Sequence, residues 1–319
     1  MTFDIINTYY VYVAWALTGA ATVHLLFLTL RRVSVVFDLF SHYTLLMWLI
    51  LLINLGVTAA LRLQTVTIIT TAVLLIMTLF VAEYFKRAPT LKDSRLEGVG
   101  VMSYNVKYSN PRRSEAIDYI LEARPDALAL FEVNRDWEWY LLRLKNAYPY
   151  SVSEVDVDDG AGVALFSKYP LVGEVKLFED IPYVDARLSY KNSELRVIAL
   201  HAFNPIRVWR DHWRKGMRLI SQIADDIDFD APTVVASDLN SSPNGAFYRA
   251  MVENGKLMPA GRGRMFLPTW GPFGLPLLQI DHIFVTRGVQ TLFDGIGPRN
   301  GSDHRPISTV VTWRSGVAA

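Results

Sequence analysis

Eight residues beyond position 100 hold most of the chemistry this sequence can offer: Asn105, Glu132, His201, Asp238, Asn240, Asp281, Asp303 and His304. Most stand beside a short apolar, β-rich run. Residues 99–104 lead into Asn105, 127–131 into Glu132, 195–200 into His201, and 233–237 into Asp238 and Asn240. Asp281 precedes a run at 283–285, and Asp303-His304 precede the last, 306–313. Amide and carboxylate oxygens suit a hard cation such as Mg²⁺, with Mn²⁺ able to replace it, because such ions keep water and phosphate as further ligands. Two histidines supply an acid and a base near neutral pH, and an acidic neighbour fixes the tautomer of each. Around one cation, these groups suit hydrolysis of a phosphate ester: the metal neutralises developing charge while a base activates water.

Other chemistries lack their residues. There is no Gly-x-x-x-x-Gly-Lys-Ser/Thr phosphate loop, no Gly-x-Ser-x-Gly elbow and no His-x-x-x-His pair. With no cysteine, disulfides and thiolate metal sites are excluded.

Side chains this far apart must be aimed by a rigid frame. The apolar runs read as buried strands, with helical patterns between them at 114–123, 137–146 and 211–227. That alternation predicts an α/β or α+β sandwich whose strand ends open into one crevice.

The series Ser-Tyr-Asn105-Val, Leu-Phe-Glu132-Val, Leu-His201, Ser-Asp238-Leu-Asn240, Ile-Asp281-His282 and Ser-Asp303-His304-Arg-Pro resembles the endonuclease/exonuclease/phosphatase superfamily over about residues 98–313. The resemblance implies a four-layer α/β sandwich, two mixed sheets face to face with helices outside. It implies Glu132 as the principal metal ligand, with Asn105 beside it and Asp303 assisting the metal or the histidine loop. Asp238 would orient or activate the attacking water, and Asn240 would hold a phosphate oxygen. His304 would be the catalytic imidazole, oriented by Asp281. His201 would stabilise the phosphate or protonate the leaving group. His282 follows Asp281 and should point to the opposite face of its strand, so it is left out of the site. Lys107 departs from the pattern, standing where abasic-site endonucleases carry a second acid, and Asn204-Pro205 after His201 depart as well. Pro268-Thr269-Trp270 is similar to bacterial members with N-terminal spans.

The first third of the chain is of another kind. No Asp, Glu, Lys or Arg lies between Asp4 and Arg31, between Asp38 and Arg62, or between Arg62 and Glu83. Gaps of roughly 20 residues can cross a hydrocarbon core of about 30 Å. Three transmembrane helices are expected at about 9–30, 43–60 and 65–82, with aromatics near several ends and 33–42 as an interfacial or re-entrant piece. A signal peptide fits poorly: no basic segment precedes the first apolar stretch, and two more follow. The domain boundaries expected are a membrane region at 1–87, a linker at 88–97 and a catalytic domain at 98–319. Arg31, Arg32, Lys86, Arg87, Lys92 and Arg95 would share one side, which the positive-inside rule assigns to the cytoplasm. The expected setting is a bacterial inner membrane.

Residues 1–95 hold 7 of the 32 Lys+Arg and 4 of the 31 Asp+Glu, which leaves 25 basic and 27 acidic groups from residue 96 on. Near-neutrality disfavours general nucleic-acid binding without excluding a local basic groove. A membrane tether would hold the site at high effective concentration over lipid, so a phospholipid or its headgroup is the favoured substrate. The alternatives are a tethered endo- or exonuclease and a non-catalytic scaffold; the intact set of site residues argues against the scaffold. In 207–215 basic and aromatic residues interleave. They could meet anionic lipid or a nucleic-acid strand, but the spacing of Trp209, Trp213, Ile220, Ile223 and Ile227 favours one face of a core helix.

Overall fold

The structure is a computed structural model and describes residues 2–86, 97–155, 161–202, 211–260, 268–272, 275 and 277–313. Most of the expected linker, 88–96, lies outside these residues, as do Arg207 to Arg210 and Asn204-Pro205. The chain forms two units, Met1–Phe85 with Ser242–Ala246, and Lys86–Ser241 with Phe247–Ala319.

The first unit is helical: α1 (Thr2–Leu30), α2 (Val35–Ser41), α3 (Thr44–Ala60) and α4 (Gln64–Val81). The stretches Thr8–Leu30 and Gln64–Phe85 are long and apolar enough to cross a membrane. At 17 residues, α3 is about 26 Å long and at the short end for a span; it qualifies only when joined to α2 across a 53° bend. Among the described residues, two helices are therefore long and apolar enough to span, and a third only if α2 and α3 form one bent span, where three were expected. Ala21, Leu51, Val73, Leu74 and Met77 form the apolar centre of the unit. Ser34 caps α2 by accepting the Val36 N–H, and Asp38 on α2 accepts the N–H of Ala246 at 2.7 Å.

The second unit contains two six-stranded mixed sheets. The first has the order β11-β12-β1-β2-β4-β3, built from β1 (Val99–Asn105), β2 (Ala127–Phe131), β3 (Tyr150–Glu154), β4 (Val163–Ser167), β11 (Val289–Ile296) and β12 (Ile307–Trp313). The second has the order β5-β6-β7-β8-β10-β9, built from β5 (Leu171–Phe178), β6 (Ile181–Tyr190), β7 (Ser193–His201), β8 (Thr233–Asp238), β9 (Leu257–Pro259) and β10 (Asp281–Thr286). Each sheet has one parallel pair, β1 with β2 and β7 with β8, and a helix runs between its strands: α5 (Arg113–Ala123) in the first and α7 (Asp211–Asp226) in the second.

The inner faces pack on each other through Val99, Val101, Ala127 and Ala129 from one sheet and Val197, Ala199, Val234, Ala236, Ile283 and Val285 from the other. Outside the first sheet, Ile117 and Ile120 of α5 and Trp137 of α6 (Arg135–Leu141) cover Met102, Tyr104, Leu128 and Leu130. Outside the second, Tyr248 of α8 (Ala246–Val252) packs on His282 and Phe284, with ring centroids 4.8 and 5.4 Å apart. Trp213, Leu219, Ile220 and Ile223 of α7 are buried, and Gly216 brings the helix against Phe247, whose ring would lie 2.9 Å from an added Cβ. The outward face of α7 is ion-paired, Lys215 to Asp180 and Arg218 to Glu179. In its described part, 211–215, the basic and aromatic stretch is thus the start of a core-facing helix, with Trp213 buried and Lys215 ion-paired.

Candidate active site

Strand parity explains why the predicted side chains meet. Successive residues of a strand point to opposite faces. Asn105 shares parity with Val99 and Val101, His201 with Val197 and Ala199, Asp238 with Val234 and Ala236, and Asp281 with Ile283 and Val285. All four therefore continue rows of inward-facing core residues beyond the apolar filling. Register aligns the second sheet's three, since His201 pairs with Asp238 and Asp238 with Asp281. His282, of opposite parity, turns outward, its Nε2 2.8 Å from the Ser241 carbonyl.

Asp238 and Asp281 are buried with His304, and one ligand atom from each lies within 4.8 Å of the others, a grouping able to hold a divalent cation. His304 Nδ1 donates to Asp281, 3.0 and 3.1 Å from its two oxygens, and Nε2 lies 3.7 Å from Asp238 Oδ2. His201 Nε2 approaches the same Asp238 oxygen at 3.5 Å. Asn240 donates its backbone N–H to Asp238 Oδ1 at 2.9 Å, and its side-chain amide to the Ala202 carbonyl at 2.9 Å. Asn105 Nδ2 donates to Glu132 Oε1 and to Asp238 Oδ2, both at 2.9 Å. One amide NH₂ thus bridges two carboxylates that a cation would draw together, and the donors are hard oxygens; the set fits a divalent ion.

Asp303 stands at the rim, accepting from Trp270 Nε1 at 3.3 Å and lying 3.5 Å from Lys107 Nζ. The eight residues proposed for the site from the sequence therefore all lie in or beside one cluster, and His282, left out of it, does not. Sequence reasoning missed the supports. Thr269 Oγ1 accepts the N–H groups of Ile280 and Asp281 at 3.1 and 3.2 Å, and Ser302 Oγ both donates to the Asn105 carbonyl and accepts the His304 N–H. Thr269-Trp270 had a signal, as a bacterial-type motif, but no role. Gly301 has φ +85°, and a Cβ there would lie 2.0 Å from Asn110 Oδ1, so the turn leading to Asp303-His304 requires glycine.

Three residues of the site have left-handed backbone: Lys107 (φ +62°), Glu132 (+59°) and Asn240 (+48°). Each such residue costs roughly 1–2 kcal/mol, less for Asn, and persists where its surroundings fix it. At Glu132 this turn interrupts the alternation of β2: Phe131 faces the core, and Glu132 is brought round to Asn105 and the Tyr108 N–H.

The electrostatics are those of crowded buried charge. Burial, and then Asp281, raise the Asp238 carboxyl to about 6 despite the opposing pull of His304, His201 and Asn105. Burial alone would lower His304, but Asp281 and Asp238 outweigh it and hold the imidazole protonated up to about 10. Asp303 is held below the usual carboxylate range: partial burial opposes this, while His304 and Lys107 prevail.

The sequence pattern of the endonuclease/exonuclease/phosphatase family matches residues 102–304, well over half the chain. A solved endonuclease/exonuclease/phosphatase from Beutenbergia cavernae is similar in fold, with TM-score 0.57 and 19% identity over 70% of this chain and 74% of that one. TDP2 from D. rerio complexed with a single-strand DNA product gives TM-score 0.54 and 17% identity over 69% and 100%. Sphingomyelinase C from Streptomyces griseocarneus gives 0.51 and 19% over 67% and 99%. No match is found among curated proteins. At these identities the likenesses speak for the fold alone, whereas the pattern match coincides with the cluster that can hold a metal. The chain is a metal-dependent hydrolase of phosphate esters and belongs to the endonuclease/exonuclease/phosphatase family.

Proposed function

We propose that the chain is a membrane-anchored, Mg²⁺-dependent phosphodiesterase whose substrate is a nucleic-acid strand. The observation that carries the hydrolytic reading is the convergence of buried Asp238, Asp281 and His304 in a site of hard donors. The nucleic-acid assignment is supported by the likeness to TDP2, seen with a single-strand DNA product, and reverses the order of preference drawn from composition. A lipid headgroup is the second reading, favoured by the likeness to sphingomyelinase C and by two apolar helices that would keep the site near a bilayer.

Glu132 and Asp238 would hold the cation, with Asn105 beside them; once bound, it neutralises charge on the phosphate and acidifies water. Asp238 orients the attacking water and takes its proton. His304, protonated and fixed by Asp281, presents Nε2–H to a phosphate oxygen, where a preoriented donor lowers the barrier. His201 and Asn240 hold the opposite side of the phosphate, and His201 protonates the leaving oxygen. Asp303 keeps the histidine loop in place. The anchor has three spans, with α2 and α3 crossing together, and the catalytic domain, from residue 98 on, faces the cytoplasm of a bacterial inner membrane by charge bias.

The test is hydrolysis by the full chain purified in detergent with Mg²⁺ or Mn²⁺, offered single- and double-stranded DNA and mixed phospholipid vesicles. DNA cleavage abolished by a chelator is the expected result. Cleavage of phospholipid alone would move the assignment to the second reading, and no cleavage together with no cation binding would overturn the enzyme.

A further inference from the structure

Among the described residues, Lys107 is the charged side chain at the site to which the hydrolytic scheme gives no task. Its backbone is left-handed, an uncommon state for a residue bearing a Cβ, and the turn is fixed on both sides. The Lys107 N–H donates to Asn105 Oδ1 at 2.9 Å; its carbonyl accepts from the indole Nε1 of buried Trp137 at 3.1 Å and from the Asn110 N–H at 3.0 Å. A residue beside the candidate metal ligand Asn105 is thus held by a core tryptophan in a conformation that lysine does not favour.

The side chain leads to Asp303, with Nζ 3.5 Å from Oδ2. The two side chains are 31% and 34% exposed, so the ammonium stands at the mouth of the site. An ion pair this wet contributes little and opens at little cost. Lysine carries its charge as a mobile point on a flexible stem, suited to meeting a phosphate oxygen. Among the described residues, four carboxylates surround the site: Glu132, Asp238, Asp281 and Asp303. Asp281 is taken by His304, and Glu132 and Asp238 share the Asn105 amide. Asp303 remains as the carboxylate on which a second divalent ion would have to build, and Lys107 already neutralises it.

Resting on the phosphoesterase reading above, we propose that Lys107 is the fixed second cation of the site: its ammonium, parked on Asp303, replaces a second metal ion and receives a non-bridging oxygen of the substrate phosphate. The reaction then runs on one divalent ion per chain. Charge developing on the phosphate is met from one side by that ion and from the other by the ammonium.

The full chain in detergent is titrated with Mn²⁺ and with inorganic phosphate by calorimetry, assayed with bis(4-nitrophenyl) phosphate, and tested for inhibition by inorganic phosphate. Wild type, Lys107→Met, Lys107→Arg and Lys107→Glu are compared, with circular dichroism as the folding control. Wild type is expected to bind one Mn²⁺. Lys107→Met should lose about 100-fold in kcat/KM, the scale of removing one charge-stabilising donor, and should bind inorganic phosphate about tenfold more weakly, the effect of one modest interaction. Lys107→Arg should recover most of both, and Lys107→Glu should gain a second Mn²⁺. Two Mn²⁺ ions in wild type, or a folded Lys107→Met with kcat/KM and phosphate inhibition within twofold of wild type, would overturn the proposal. If wild type hydrolyses no ester at all, the hydrolase reading has failed instead, while Mn²⁺ stoichiometry and phosphate binding still decide on Lys107.

Discussion

The apolar helices and the catalytic sandwich both bury polar side chains, and they do so in opposite ways. Along α1, α3 and α4 the buried polar groups are Thr, Asn and His side chains without an acidic or basic partner among them, and they satisfy one another from helix to helix. Thr18 and Thr70 hydroxyls lie 2.8 Å apart, Asn54 Nδ2 donates to Thr18 Oγ1 and to the Ala14 carbonyl, and His24 Nε2 lies 3.1 Å from Thr44 Oγ1. At the site in the sandwich, the buried groups are ionisable and in conflict: against burial, Asp281 and then Asp238 raise the proton affinity of His304, while burial and then Asp281 push Asp238 to about 6. Paired neutral groups are a means of association in an apolar setting. Crowded carboxylates around an imidazole are unfavourable until a cation arrives, which is how perturbed side chains come to mark a site of chemistry.

Substitutions should therefore have unequal consequences in the two regions. The largest effect belongs to His304→Ala, which should lower turnover by about 10³–10⁴-fold, at the upper end for a positioned acid or base. Asp281→Asn should follow closely, and circular dichroism should show both variants folded.

Next is the pH dependence set by Asp238. Its folded value of about 6 lies above the ordinary 3.8, so this group's stabilising contribution is full below about pH 4 and is lost as pH rises through 6. In the absence of metal, thermal unfolding should report a loss approaching 3 kcal/mol across that window, an order-of-magnitude figure for a shift of this size. Asp238→Asn should abolish this dependence together with cation binding. Because the cation binds the carboxylate form, its affinity in wild type should fall about tenfold per pH unit below 6. A smaller effect is expected of Thr269→Val, which leaves the N–H groups of Ile280 and Asp281 without their acceptor: about 1–3 kcal/mol in stability, read by thermal melting, with a lower kcat and an unchanged KM.

Least affected should be the helices, where Asn54→Leu removes one polar link and costs about 0.6 kcal/mol. A strongly pH-dependent cost there would erase the contrast between the two regions.

What could be read from the sequence follows the same physics. Strands buried on both faces announce themselves as apolar runs, and β1, β2, β4, β7, β8 and β12 lie where such runs stand. The polar terminal residues of β1, β7 and β8, Asn105, His201 and Asp238, fall on the inward parity, so that part of the site was legible with them. β3 and β5 are largely exposed and carry no such run, and nothing in 150–154 or 171–178 set them apart from loops. The expected helix at 137–146 begins earlier, at Arg135, and ends its α-helical part at Leu141, because Leu142–Leu144 tighten into a 3₁₀ turn. The left-handed turn at Glu132 and the support from Thr269 left no local trace, since the first uses no glycine and the second depends on strands brought together only by folding. The stretch at 43–60 shows the limit of composition: apolar enough to cross, it forms a 17-residue helix that is at the short end for a span and gains length only with α2.

The most direct test is single-turnover hydrolysis of an end-labelled DNA strand by the full chain in detergent with Mg²⁺, for wild type and His304→Ala. The account predicts cleavage that stops on chelation, returns with added Mg²⁺, and is about 10³-fold slower or worse in the variant. Cleavage that survives chelation, or that proceeds equally fast in His304→Ala, would contradict it.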